Sequence, residues 1–116
     1  MKSKLAGFSE IDNLTEKAIK NGNEIYYWLK DQTSLGNEIC SREIKKNWDL
    51  TGPETRALIH YFRVEKEYPI GSNGKGYFWA KKGSELTSSI IHLEQRINAM
   101  QIVVRSLRNI KEKLCK

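Results

Sequence analysis

The longest hydrophobic pattern lies at the C-terminal end. Leu86, Ile90, Leu93, Ile97, Met100, Val104 and Leu107 alternate spacings of four and three. This is an a/d heptad seam held for about three heptads, and it slips to Ile110 before Leu114. No Gly or Pro interrupts from Ser84 to Lys116. The spacing therefore predicts one helix of about 45 Å, at 1.5 Å per residue. Upstream the patterns are shorter. Thr55, Leu58, Ile59 and Phe62 make one buried helical stripe, and the helix opens at Thr51-Gly52-Pro53-Glu54. Thr with Glu three residues on is a capping box, and Pro53 fits a first turn, where its missing N–H costs nothing. The opposite face carries Glu54, Arg56, Ala57, His60 and Arg63. Ser41 to Trp48 reads as a shorter preceding helix and Asp49-Leu50 as the turn between them.

Before that pair, Ile11, Leu14 and Ala18 share one side of a helix-prone run from Ser9 to Lys20, and Ile25, Trp28 and Leu29 mark a second from Glu24 to Gln32. A stripe through Gly22 permits one continuous helix, whereas Asn21-Gly22-Asn23 argues for a break. The break is the expectation, with the first core helix starting near Asn23. Glu38-Ile39-Cys40 suits one short strand. After the helix pair, Asn73-Gly74 separates two β-prone runs, the strongest short-range hairpin signal. With Asn73-Gly74 as the loop, Ser72 pairs with Lys75, Ile70 with Tyr77 and Tyr68 with Trp79. Tyr68, Ile70, Tyr77 and Trp79 then share the core-facing side, and Pro69 belongs at an edge. Lys81-Lys82-Gly83 reads as a hinge.

Helix, strand, helix, helix, hairpin is the order of a winged helix-turn-helix. The expected fold class is α+β, mainly α: an N-terminal extension over 1–22, a winged helix-turn-helix domain over 23–83, and a long coiled-coil-like C-terminal helix over 84–116.

The chain has 116 residues, a formal charge of +6 and a pI of about 9.4. A basic balance favours a polyanionic partner. Cys40 and Cys115 form no Cys-x-x-Cys pair, so reduced thiols, no metal and a cytoplasmic location are expected. Neither a signal peptide nor a membrane span is evident. His60 and His92 have no nucleophile or paired carboxylate at a fixed spacing, and Gly71, Gly74 and Gly76 lack the helix and Lys-Ser/Thr of a phosphate loop. No enzyme activity and no cofactor are expected.

Ser41-Arg42-Glu43-Ile44, Leu50-Thr51-Gly52-Pro53-Glu54-Thr55-Arg56, the run Tyr68 to Phe78, and His92-Leu93-Glu94-Gln95-Arg96-Ile97 together resemble small phage-type winged helix proteins. The Lys-Gly-Tyr wing is also similar to the DNA-binding domain of biotin repressor-type regulators. Asp49 and Glu67 depart from the pattern, since glycine is common at both places in those proteins. The resemblance implies DNA binding.

These readings predict a sequence-specific binder of double-stranded DNA, a phage or mobile-element regulator of transcription or a replication-origin binder. Pro53, Glu54, Arg56, Ala57 and His60, with Arg63, face the major groove, and Arg56 is the best candidate for bidentate pairing with guanine. Arg42, Lys45 and Lys46 suit phosphate contacts. Ser72, Asn73 and Lys75 form the wing tip. The heptad seam, Leu86 to Leu107, makes a homodimer, folds back on the domain, or docks another protein. The alternative function is an adaptor or inhibitor that binds a host or replication protein through the winged domain and the C-terminal helix.

Overall fold

The structure is a computed structural model and describes residues 14–115. Ile11 and the expected helix start at Ser9 lie outside them. Thr15 opens the first helix: its hydroxyl accepts from the Ala18 N–H at 3.2 Å. The helix, α1, runs Glu16–Gln32 without a break, which corrects the expected interruption at Asn21-Gly22-Asn23. Packing explains the difference. Ala18, Gly22, Ile25 and Leu29 recur on one buried side, and a Cβ on Gly22 would lie 3.6 Å from Leu58 and 4.0 Å from Phe62. Burying one Ile or Leu stabilises by about 1.5–3 kcal/mol, which outweighs the roughly 1 kcal/mol propensity cost of one helical glycine. Asn21 donates its side-chain N–H to the Lys17 carbonyl, and so stays compatible with the helix.

Helix α2 spans Ser41–Trp48 and α3 Gly52–Val64. Asp49 closes α2 in the left-handed region, at φ 52° and ψ 50°. The capping box at Thr51 and Glu54 is complete, with both reciprocal bonds made. From α3 the chain reverses through Glu67, the only other described non-glycine with positive φ, at 54°.

Strands β1 (Ile70–Asn73) and β2 (Gly76–Trp79) pair antiparallel. Their register pairs Ile70 with Trp79, Ser72 with Tyr77 and Asn73 with Gly76, two residues away from the expected one. The turn therefore holds Gly74 and Lys75, and Asn73 lies in the ladder. Its side-chain Oδ1 accepts from the N–H groups of Lys75 and Gly76, at 2.8 and 3.2 Å, a local turn that asparagine makes readily. Positive φ falls on Gly76, at 139°, not on Gly74. Because the shift is even, the alternation survives it: Ile70, Tyr77 and Trp79 still share one side. Tyr68 precedes the strand but stacks on Tyr26 at 4.3 Å and lies 5.6 Å from Trp79. Ile39 makes a two-way bridge to Tyr77, N–H to carbonyl in both directions at 2.9 and 2.8 Å. The expected strand at Glu38–Cys40 is thus a single bridge.

The core of this unit joins Ile25 and Leu29 of α1, Ile44 of α2, Leu58 and Phe62 of α3, and Ile70 of β1, with Trp28, Trp48 and Trp79 half-buried around it. A 3-10 turn, Gly83–Leu86, packs beside β1 and ends the unit at Leu86. The second unit is one helix, α4, Thr87–Leu114. The expected start at Ser84 shifts because Glu85 accepts from the Lys81 N–H and holds those residues in the tighter turn. Leu86 is half-buried in that turn, so the helical seam begins at Ile90. The fold is α+β and mainly helical, with a small two-stranded sheet and a long C-terminal helix, compatible with a winged helix. No described helix is long and apolar enough to cross a membrane.

Candidate nucleic-acid interface

The candidate surface is built on α2, the turn at 49–51, α3 and the hairpin. Thr55, Leu58, Ile59 and Phe62 bury one side of α3, which turns Pro53, Arg56, His60 and Arg63 outward at helical spacing. These four do not have equal freedom. Arg63 is half-buried: its Nε donates to the Ile70 carbonyl at 2.8 Å and its Nη2 to Ser72 Oγ at 3.3 Å. The guanidinium lies 5.8 Å from the Tyr77 ring centre. Burial lowers its pKa from the ordinary arginine value, and an arginine stays charged under such a shift. Two of its donor groups thus serve β1 and are not offered outward. Arg56 is exposed and its side chain makes no hydrogen bond or ion pair to a described residue. Its Nη1 lies 3.3 Å from where a Cβ on Gly52 would stand, so the guanidinium lies along the first turn of α3. Pro53 is exposed. His60 is half-buried, and its Nε2 is shielded from solvent with no hydrogen-bond partner among the described residues.

Two expected groove residues belong to the fold. Ala57 is 0% exposed, and a methyl wholly shielded from solvent cannot meet a base edge, which corrects its assignment. Glu54 is occupied at both oxygens: Oε1 accepts from the Thr51 N–H at 2.9 Å, and Oε2 accepts from the Thr15 hydroxyl. The Thr15 bond first, then the Thr51 N–H, holds its carboxyl below the usual carboxylate range.

Helix α2 presents Arg42, Lys45 and Lys46 at spacings that share one side, away from buried Ile44. Their side chains are unpaired among the described residues. At the turn, Asp49 accepts from Lys17 Nζ at 2.7 Å, an exposed ion pair. That bond and the Lys17 charge hold the Asp49 carboxyl low.

At the hairpin tip Lys75 is exposed; its side chain makes no hydrogen bond or ion pair to a described residue, though its charge acts on Glu38. Asn73 is not free: beyond its turn bonds, Nδ2 donates to Glu38 Oε2 at 2.9 Å. The same Glu38 oxygen accepts from the Gly36 N–H at 2.8 Å. The Asn73 bond, then the Gly36 N–H, lowers the Glu38 pKa. Ser72 accepts from Arg63. Of the expected surface, then, Arg42, Lys45, Lys46, Pro53, Arg56 and Lys75 remain available to a ligand, whereas the Nε2 of His60 is shielded from solvent. Glu54, Ala57, Arg63, Ser72 and Asn73 hold the frame.

Two further residues position that frame. Thr33 is buried; its hydroxyl donates to the Leu29 carbonyl at 2.6 Å and accepts from the Trp79 N–H at 2.9 Å, joining α1 to β2. Glu38 ties the 36–38 segment to the hairpin tip. Both stand in irregular stretches with no periodicity, so no sequence signal marks them.

Charge is unevenly shared. Residues 1–86 carry 14 basic and 12 acidic side chains, and residues 87–116 carry six and two. Four of the six excess charges fall on residues 87–116, so the first unit's case rests on where its cations stand, not on bulk charge. Comparison with known protein families, with curated proteins and with solved structures finds no match to this chain.

Proposed function

We propose that the first unit binds double-stranded DNA as a winged helix-turn-helix, in a phage or mobile-element regulator of transcription or a replication-origin binder. In this reading α3 enters the major groove and presents Pro53 and Arg56, with Arg56 bidentate to a guanine. Arg42, Lys45 and Lys46 meet phosphates from α2, and Lys75 does so from the wing. The observation that carries the reading is the division of labour on α3: Arg63 is bound to the hairpin, while Arg56, on the same side, is exposed and unpaired among the described residues. A reader needs a polar group held in place by a packed helix but not used by it. The chain works as a homodimer through α4.

Duplex selection from a random pool, followed by titration across salt concentration, tests this. Affinity for the selected duplex should fall as log salt rises, by roughly 0.9 log units for each phosphate contact. Arg56→Ala should cost about 1–3 kcal/mol on that duplex and relax one base position, whereas Lys75→Ala should weaken all duplexes alike. Equal affinity of both variants and the parent for every duplex would remove the DNA reading. The second reading, an adaptor or inhibitor of a host or replication protein, draws support from the placement of charge. The basic excess and the exposed apolar seam are both on α4, and a winged domain is only a fold.

A further inference from the structure

We infer that α4 pairs with the α4 of a second copy in antiparallel orientation. The inference deepens the self-association in the proposed function and does not depend on DNA. It begins with the seam. Ile90, Leu93, Ile97, Met100, Val104 and Leu107 are each 41–59% exposed. A solitary helix in water gains little from such a stripe, because helix stability comes chiefly from burying it.

The residues beside the seam decide direction. One flank carries Glu94, Gln101 and Arg108, each following a d position; the other carries Arg96, Val103 and Ile110, each preceding an a position. In a parallel pair these flanks meet each other with an offset of five residues. Arg96 would then face Gln101 of the second copy, and Val103 would face Arg108; no opposite charges meet. In an antiparallel pair each flank meets its own copy in reverse. With Gln101 facing Gln101, Glu94 meets Arg108 of the second copy and Arg108 meets its Glu94. On the other flank Val103 meets Val103, which extends the apolar contact.

Lys111 points the same way. It takes the seam position after Leu107. Parallel pairing would set two Lys111 side by side in one apolar layer and bring the two basic ends together. Antiparallel pairing sets Lys111 against Leu93 of the second copy, next to that copy's Glu94, and opposes the helix dipoles favourably. In this register the two Thr87 residues begin their helices about 42 Å apart along the axis, at 1.5 Å per residue. A parallel pair would hold them about 10 Å apart.

Cys115 supplies a built-in reporter. It is exposed, and reversal about Gln101 places it beside Thr87 of the second copy. With Cys40→Ser as background, diamide oxidation should link few chains through Cys115 alone. Adding Thr87→Cys should give a reducible covalent dimer, and removing the thiol at 115 from that variant should abolish it. An independent arm reads dimerisation by sedimentation, with circular dichroism to verify helix content. Glu94→Arg should weaken dimerisation by about tenfold, since it turns two attractive pairs repulsive. Combining it with Arg108→Glu should restore the parental value, a coupling that parallel pairing does not give. Efficient linkage through Cys115 alone, absence of rescue by Arg108→Glu, or a monomer of the unmodified chain at about tens of micromolar would each overturn the inference. The last result would leave the stripe to its own chain or to a different protein. None of these readouts uses DNA, so failure here and failure of duplex binding are separable.

Discussion

Replacing Glu67 with glycine tests how the chain gets from α3 into the hairpin. Glu67 has φ 54°, and the N–H of the next residue, Tyr68, reaches back to the Phe62 carbonyl at 2.9 Å. The reversal thus needs a left-handed residue at that place. A side chain with a Cβ loses about 1–2 kcal/mol there. Glycine removes that cost but widens the unfolded ensemble, returning about 0.4–1 kcal/mol. Glu67 is exposed and its side chain makes no hydrogen bond or ion pair to a described residue, so no lost contact enters the balance. The net expectation is about 0.5–1 kcal/mol of added stability, or roughly 2–8 °C in Tm for a domain of this size.

Thermal and urea unfolding followed by circular dichroism measure it, with an unchanged urea slope as the sign that the folded state is the same. Glu67→Ala is the control, because it keeps the Cβ and with it the strain; it should stay near the parent. Asp49→Gly relieves the same conformation at φ 52° but gives up the exposed bond from Lys17, so it should gain no more than Glu67→Gly. A glycine variant at 67 no more stable than the alanine variant would refute the reasoning.

The other expectations concern the helix, the turn and pH. Gly22→Ala should stabilise by about 1 kcal/mol, since its Cβ would meet Leu58 at an ordinary 3.6 Å; a loss in urea midpoint would mean that α1 is not continuous there. Gly76→Ala should cost of order 1–3 kcal/mol, because Gly76 has φ 139° and a Cβ would collide with the Ile39 backbone. Gly74→Ala, in open space, should be nearly silent, and equal effects of the two would contradict the register. Thr15 beside Glu54, Asn73 beside Glu38 and Lys17 beside Asp49 each hold a carboxyl low. A lowered folded pKa gives stability that is fully present above ordinary carboxylate values, about 4, and is lost as pH falls through the lowered ones. The urea midpoint should therefore drop below about pH 4, and Glu54→Gln should reduce that drop.

Periodic features were legible in the sequence because they are repeated statements of one fact. The stripe on α3, the capping box at Thr51 and the seam of α4 each name several residues that agree. The errors fall where a single local preference met packing or one bond. Asn21-Gly22-Asn23 reads as a break, but burial of Ala18, Ile25 and Leu29 on either side carries the helix through it. Asn73-Gly74 reads as the hairpin loop, yet Asn73 uses its side chain to build the turn from inside the ladder. Asp49 and Glu67, noticed as departures from glycine, are the described non-glycine residues with positive φ; there the sequence pattern carried backbone information. On the candidate surface, residue type alone could not separate Arg56 from Arg63, because both are arginines on one side of one helix. Tertiary bonds to Ile70 and Ser72 make the distinction.

Those bonds bear on how the surface would work. The hairpin is held from several elements: Thr33 binds the Trp79 N–H from the end of α1, Ile39 bridges Tyr77, Glu38 grips Asn73, and Arg63 joins α3 to β1. Lys75 sits two residues beyond the pinned end of β1, separated from Asn73 only by Gly74. Its main chain is therefore fixed relative to α3, while its side chain makes no hydrogen bond to a described residue. A ligand touching both Arg56 and Lys75 would find their separation already set and would not have to order the hairpin on binding. Preorganisation of this kind lowers the entropic cost of association. On the proposed DNA reading, Arg63 would serve as a brace for the hairpin and not as a contact. A contact adds one charge, whereas the brace helps set the position of Lys75, the cation at the tip of the hairpin it holds.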